Sequence, residues 1–341
     1  MINTVYRLAR ARKFEIAFED IELFGQNAVV RPTHLSICNA DMRYYLGTRD
    51  AKIMAEKLPL VLIHEGVGKV IYDPSGKFNV GEMVVMVPNI PAEKNDVIAE
   101  NYLRSSKFCG SSTDGFLQEY ISISPKRLVR LPKEMNMNVA AFTEIVSVSI
   151  HAISRFDKIA HSCRRRIGVW GDGNLGYITS LLIKKLFPET EVYIFGTSYD
   201  KLSYFTFADG SFMVNEVPKD FYVDHAFECV GGNGSTVAIE QIIETVMPEA
   251  TISILGVSEY PIPINTRMIL EKGLRFFGSS RSGVDDFRKT VELYKEYPEI
   301  IDYLGSIVSS VNTVSTIDDI IAAFEKDAKK AFGKTIIQWQ E

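Results

Sequence analysis

The segment Gly171-Asp172-Gly173-Asn174-Leu175-Gly176 follows directly on an apolar run, Ile167-Gly168-Val169-Trp170, and opens a stretch with helical spacing from Leu175 to Phe187. No other feature constrains the fold as tightly. The first glycine permits a sharp turn, the second lets the backbone approach a pyrophosphate, and the third lets the helix pack on the strand. The unpaired N–H groups at the start of that helix then face the phosphates. Gly171, Gly173, Asn174, Leu175 and Gly176 are therefore candidate cofactor contacts, against the plainer alternative of a glycine-rich turn that holds nothing.

Around this turn, Val192–Phe195, Asp224–Glu228, Thr251–Leu255 and Arg275–Phe277 are short apolar runs separated by helical stretches. That alternation predicts an α/β unit, a doubly wound parallel sheet covered by helices on both faces. At roughly 150 residues per domain, a chain of 341 residues has room for about two. The N-terminal part has a different texture. Ala28-Val29-Val30, Gly66–Ile71 and Met83–Val87 read as strands, separated by turns such as Asp73-Pro74-Ser75-Gly76. Thr143–Phe156 has helical spacing. From Val284 the chain gives a helix, a strand-like Ile307–Ser310, a helix at Ile317–Phe324 and a last strand at Thr335–Trp339.

The end of the second strand of such a sheet selects the cofactor, because an acidic residue there binds the ribose hydroxyls of NAD. Here the run ends Phe195-Gly196-Thr197-Ser198, with Lys201 close behind and no carboxylate before Asp200. A small residue, two hydroxyls and a lysine suit a ribose 2′-phosphate, so NADPH is the expected cofactor. The plainer alternative is that Thr197 and Ser198 simply cap the next helix, with Asp200 turning in to the ribose.

Thirty-eight Lys and Arg against 43 Asp and Glu give a net charge of −5, and the run Arg164-Arg165-Arg166 reads as a solvated strand entrance, so nucleic acid is not an expected partner. The longest uncharged stretch, Tyr303–Ile317, has fifteen residues rich in Ser and Thr, too short and too polar to span a bilayer. Arg7, Arg10, Arg12 and Lys13 occupy the place of a signal peptide's apolar region, and a cytoplasmic protein is expected. Cys38, Cys109, Cys163 and Cys229 form no CxxC pair, which leaves neither a zinc ribbon nor a dithiol motif.

A cysteine with a chemical role must then find partners elsewhere. Cys38-Asn39-Ala40-Asp41 precedes His64-Glu65-Gly66, and Glu144 stands at the start of an otherwise apolar helix. Thiolate, imidazole and carboxylate are the mixed ligands of a catalytic zinc with one open position.

With these residues in view, the chain resembles the zinc-dependent medium-chain dehydrogenase/reductase family over nearly its whole length. The motifs are Cys38-x-x-Asp41, His64-Glu65-x-x-Gly68, Asp114-Gly115-Phe116, Glu144, the turn at Gly171–Gly176 and Phe227-Glu228-Cys229-Val230-Gly231-Gly232. Cys38–Tyr45 and Glu144–Val148 are most similar to the polyol branch, the sorbitol dehydrogenases. Leu62–Gly68, Trp170–Tyr177 and Gly278–Gly283 resemble more closely still those members that reduce D-ribulose 5-phosphate to D-ribitol 5-phosphate for CDP-ribitol and wall teichoic acid. The resemblance implies a β-rich GroES-like catalytic domain at 1–145 and 285–341 and a Rossmann domain at 146–284. It implies one zinc per chain on Cys38 and His64, completed by Glu144 or Glu65, with Asp41 accepting a hydrogen bond from the far nitrogen of His64. It extends cofactor contacts to Gly231 and Gly256.

Two departures from the family pattern stand out. The positions that often carry a hydroxyl and a histidine of a proton relay hold Ala40 and Arg43. A phosphorylated substrate explains Arg43 as a phosphate contact, with a solvent-facing arginine as the alternative. Tyr44 is a further candidate substrate contact, and Glu65 or Tyr44 the candidate relay. The lobe that in many relatives holds a structural zinc, Val87–Asp114, has only Cys109, so packing is expected to hold it. The resemblance also implies a homodimer formed near Arg275-Phe276-Phe277, and a cytidylyltransferase acting on ribitol 5-phosphate as the partner its product would meet. Two other functions stay open on the residues alone: NAD-linked oxidation of an unphosphorylated polyol such as sorbitol or ribitol, and nucleotide binding without catalysis.

Overall fold

The structure, a computed structural model, describes residues 1–23 and 25–340. The chain divides into two compact units, Met1–Ser147 with Arg281–Glu341, and Val148–Ser280.

In the first unit one sheet runs through Leu128–Arg130, Met83–Met86, Glu65–Tyr72, Ala28–Ile37, Lys334–Trp339 and Val308–Val314, with Ile121–Ile123 also paired to Ala28–Ile37. A second sheet joins Lys13–Asp20, Ile2–Arg10 and Leu60–Val61. Ala28–Ile37 continues well past its apolar start, through Arg31-Pro32-Thr33-His34, because it is flanked by Glu65–Tyr72 on one side and Lys334–Trp339 on the other. The register slips between Pro32 and His34, which is where a central strand tolerates a residue without an N–H. The core packs Val30, Leu35, Ile37, Tyr45, Val61, Phe116 and Phe324 between the sheets and the helix Ile317–Lys329. Such burial contributes about 25 cal/mol for each Å² of apolar surface removed from water.

The expectation that packing alone holds the lobe needs amending. Glu100 receives two guanidinium nitrogens of Arg127, at 2.5 and 3.0 Å, and the N–H of Val284 at 2.8 Å, so an ion pair fastens the segment.

The second unit is a six-stranded, wholly parallel sheet in the order Gly210–Met213, Glu191–Gly196, Arg166–Trp170, His225–Glu228, Thr251–Ile254, Arg275–Gly278. This is the Rossmann order, with its reversal between Arg166–Trp170 and His225–Glu228. Trp170 and Phe195 stack inside it with centroids 3.8 Å apart. Gly210–Met213 escaped the sequence reading because a four-residue, partly exposed edge strand carries little apolar signal. Among the described residues no helix is long and apolar enough to cross a membrane.

Candidate active site

Three neighbouring strands of the first unit meet at one end of its sheet. Ala28–Ile37 runs antiparallel to both neighbours, so its C-terminal end lies beside their starts. Cys38 follows that end, His64 and Glu65 open one neighbour, and Lys334 opens the other. Ligand atoms of Cys38, His64 and Glu65 all lie within 4.8 Å of one another. Among the described residues no other group of His, Cys, Asp and Glu closes in this way. The donor chemistry, one thiolate, one imidazole and one carboxylate, fits zinc. Glu144, on the helix Thr143–Ile159, is buried near this trio without joining it.

Local sequence explains the placement. Cys38 caps the helix Asn39–Tyr45, and Asp41 in its first turn accepts the Cys38 N–H at 3.0 Å and the Ile63 N–H at 2.9 Å. Asp41 Oδ1 stands 3.8 Å from His64 Nδ1, outside hydrogen-bond reach, so the expected direct bond is absent here and the two attract through charge. Ile63 has φ of +71°, a strained conformation for a β-branched residue. Asp41 holds its N–H, and Phe116 donates to its carbonyl at 2.7 Å. Gly115 closes in behind, where a Cβ would come within 2.3 Å of the Ile63 oxygen. The Asp114-Gly115-Phe116 motif thus fixes the turn that presents His64.

The electrostatics are those of ionised groups drawn together out of water. Burial opposes the His64 imidazolium, but Asp41, Cys38 and Glu144 outweigh it and lift its pKa to about 10. Burial and the nearby Glu65 raise Glu144 to about 7. Glu65 is itself held low, against burial, by Lys334 and His64.

Lys334 is a site residue that the sequence reading missed. It is 1 % exposed, stands 2.7 Å from Glu65 Oε2 and donates to the Ile37 carbonyl at 3.2 Å. The available signal was a lysine opening an otherwise apolar strand, Lys334-Thr335-Ile336-Ile337. Arg281 was missed as well. Its guanidinium lies 4.5 Å from the ring centroid of Phe108, which in turn lies 5.3 Å from that of His64. Burial draws Arg281 below its ordinary pKa, with Glu144 partly countering. Arg43 is half-buried and Tyr44 buried on the helix that Cys38 caps.

In the second unit, Gly173 caps the helix Asn174–Leu186, and a Cβ placed on it would meet nothing within 4 Å. The protein itself has no need of glycine there, whereas an approaching pyrophosphate does. Asp172 Oδ2 accepts from Thr197 N–H at 2.7 Å and Ser198 N–H at 3.0 Å, tying the glycine turn to the end of Glu191–Gly196. Lys201 Nζ lies 3.8 Å from Asp172 Oδ1, and Ser198 caps the helix Tyr199–Leu202, as its plainer reading required. Glu228, fully buried, was another omission. Its carboxylate accepts from the N–H groups of Val230, Gly231 and Gly256 and from the Ser235 hydroxyl, so one side chain sets both loops that carry Gly231 and Gly256.

Residues 25–133 match the alcohol dehydrogenase GroES-like domain. The ribulose-5-phosphate reductase of Bacillus spizizenii is 54% identical over 340 residues, covering 100% of both chains. The chain belongs to the ribulose-5-phosphate reductases. Ribulose-5-phosphate reductase 1 of Staphylococcus aureus is 49% identical, with 99% of each chain covered. The crystal structure of S. aureus TarJ in complex with NADPH superposes with a TM-score of 0.90 at 44% identity, covering 100% of both chains. The resemblance to the medium-chain dehydrogenase/reductase family is thereby borne out, down to the reductase branch.

Proposed function

We propose that the protein reduces D-ribulose 5-phosphate to D-ribitol 5-phosphate with NADPH, in the supply of CDP-ribitol for teichoic acid. The observation that supports this most is full-length identity of 54% to a ribulose-5-phosphate reductase, with Cys38, His64 and Glu65 drawn together. A zinc ion held by Cys38 and His64, with Glu65 or Glu144 completing the set, supplies a Lewis acid for the substrate carbonyl. NADPH supplies the hydride.

The chain's own groups do the rest. Asp41 organises the Cys38 and Ile63 backbone and thereby the spacing of the two metal-binding side chains. Gly171, Gly173 and the helix start at Asn174–Gly176 receive the pyrophosphate, while Thr197 and Lys201 face the ribose 2′-phosphate. Gly231 and Gly256, set by Glu228, border the same cofactor. Arg43 and Tyr44 contact the substrate. Glu65, with Lys334 beside it, is the acceptor best placed to pass a proton.

The protein acts in the cytoplasm as a homodimer that pairs along Arg275–Gly278, the edge of its parallel sheet. The cytidylyltransferase for ribitol 5-phosphate is its partner in sequence of reaction. Following NADPH absorbance with zinc-loaded protein and D-ribulose 5-phosphate, and identifying the product as ribitol 5-phosphate, tests the reading. Turnover that survives both a strong chelator and Cys38→Ser would contradict the metal assignment.

A further inference from the structure

On the helix that Cys38 caps and the turn that follows it, two polar side chains are stacked together without a hydrogen-bond partner for either. Tyr44 is 2% exposed, and among the described residues its hydroxyl takes part in no hydrogen bond. The Arg49 guanidinium lies 4.5 Å from the Tyr44 ring centroid, its buried Nε has no hydrogen-bond partner, and among the described residues no carboxylate pairs with it.

The local chain is built to bring them together. After the helix Asn39–Tyr45, Gly47 donates to the Tyr44 carbonyl at 3.1 Å and Thr48 to the Arg43 carbonyl at 3.0 Å, with Gly47 at φ +70°. The chain therefore folds back, and Arg49 returns over Tyr44. Tyr44 lies three residues beyond Asp41, on the helix face that Asp41 turns towards His64, and helical side chains lean towards the N-terminal turn. An unsatisfied buried donor of a charged group costs stability, and stacking on the Tyr44 ring offsets that cost only in part. A planar guanidinium held flat on a ring, with its fork free, is a ready phosphate receptor.

We propose that Arg49, stacked on Tyr44, grips the phosphate of the substrate, with the Tyr44 hydroxyl donating a further hydrogen bond to it. This rests on the reductase reading above and deepens it, because it assigns the selection of a phosphorylated ketose to one side-chain pair. Tyr44 stands six positions beyond Cys38, about 9 Å of helical rise, which suits a five-carbon ketose lying with its carbonyl at the metal end and its phosphate at the other. Arg281, by contrast, stacks on Phe108 beside His64 and belongs to the carbonyl end.

The test uses zinc-loaded holoenzyme with NADPH and compares wild type with Arg49→Ala, Arg49→Lys and Tyr44→Phe. The expected result for Arg49→Ala is a KM for D-ribulose 5-phosphate raised about 30-fold or more, as for loss of one partner of a buried charge pair, with kcat within about threefold. Competitive inhibition by inorganic phosphate weakens in parallel, and Arg49→Lys recovers part of both. Should Arg49→Ala fail to fold, Arg49→Lys alone decides: it keeps the charge but loses the fork, and a KM raised about tenfold is expected. An unchanged KM and unchanged phosphate inhibition would overturn the assignment, as would a fall in kcat at constant KM. If wild type does not turn over D-ribulose 5-phosphate, the reductase reading fails by itself. Calorimetric binding of inorganic phosphate then judges Arg49: binding lost in the variant supports it, and binding retained or absent from wild type overturns it.

Discussion

Lys334 Nζ lies 2.7 Å from Glu65 Oε2, and both side chains are closed off from solvent at the end of the sheet where Cys38 and His64 meet. Burial favours the neutral form of each, yet Lys334 is raised and Glu65 lowered, so their mutual attraction outweighs desolvation. A carboxylate inside a metal-type cluster is thus anchored by a cation from the far end of the chain.

Removing that cation takes away the largest of the charges that hold buried Glu65 ionised. Lys334→Met is expected to destabilise the protein by about 3–5 kcal/mol, whereas the paired variant Lys334→Met with Glu65→Gln recovers most of the loss. Urea unfolding of the metal-free protein measures both, so that a change in metal binding does not enter the comparison. A cost below about 1 kcal/mol for the single variant would show that the pair does not hold the site together.

The glycine turn separates packing from binding. A Cβ on Gly176 would come within 1.9 Å of the Gly171 oxygen, so Gly176→Ala forces the turn open and lowers the melting temperature. Gly173→Ala meets no protein atom within 4 Å, so its stability stays at the wild-type level while NADPH affinity falls about tenfold or more. Thermal melts and fluorescence titration of NADPH distinguish the two, and equal effects on both quantities would contradict this division of roles.

Lys201 stands 3.8 Å from Asp172 Oδ1, and under the proposed function it is the residue that selects the phosphorylated nucleotide. Lys201→Ala is expected to lower kcat/KM with NADPH about tenfold and to leave NADH nearly unaffected. A parallel loss with both cofactors would make it a helix-start residue.

How much of this was legible beforehand follows from how local each signal is. The glycine turn, and Cys38, His64 and Glu144 as candidates, stand in short motifs whose chemistry can be read from spacing. Ala28–Ile37 was seen only at its apolar start, because its polar half becomes a strand through pairing on both sides. Lys334 lies 269 residues from Glu65, and only the sheet order makes them neighbours. Glu228 stands within a motif, but its four hydrogen bonds depend on two loops closing over it. The choice between the two carboxylates stays open in the sequence, since Glu144 and Glu65 belong to a helix and a strand far apart along the chain.

His225, fully buried at the start of the strand His225–Glu228 in the parallel sheet, is expected to make stability depend on pH. Its Nδ1 accepts the Thr251 N–H at 3.0 Å, which puts the ring proton on Nε2, 3.4 Å from the His161 carbonyl. Burial, the His161 ring at 4.2 Å and Arg164 depress its pKa to about 4, and the charge of Asp224 only partly offsets them. The unfolded chain takes up this proton near pH 6.5 and the folded one not until about 4, so the contribution is complete above 6.5 and is lost as pH falls towards 4. About 3 kcal/mol is expected to disappear across that window. His225→Gln, which keeps an acceptor for Thr251, flattens the dependence; identical pH slopes in variant and wild type would contradict it.

The most direct test of the functional account is the ratio of kcat/KM for D-ribulose 5-phosphate to that for D-ribulose, measured by NADPH oxidation with zinc-loaded protein. Turnover of the phosphorylated ketose is expected with a ratio of about 100 or more, as loss of a charge-assisted phosphate contact requires. A ratio near one, or faster NAD-linked oxidation of sorbitol or ribitol, would contradict it and make this chain a dehydrogenase of free polyols.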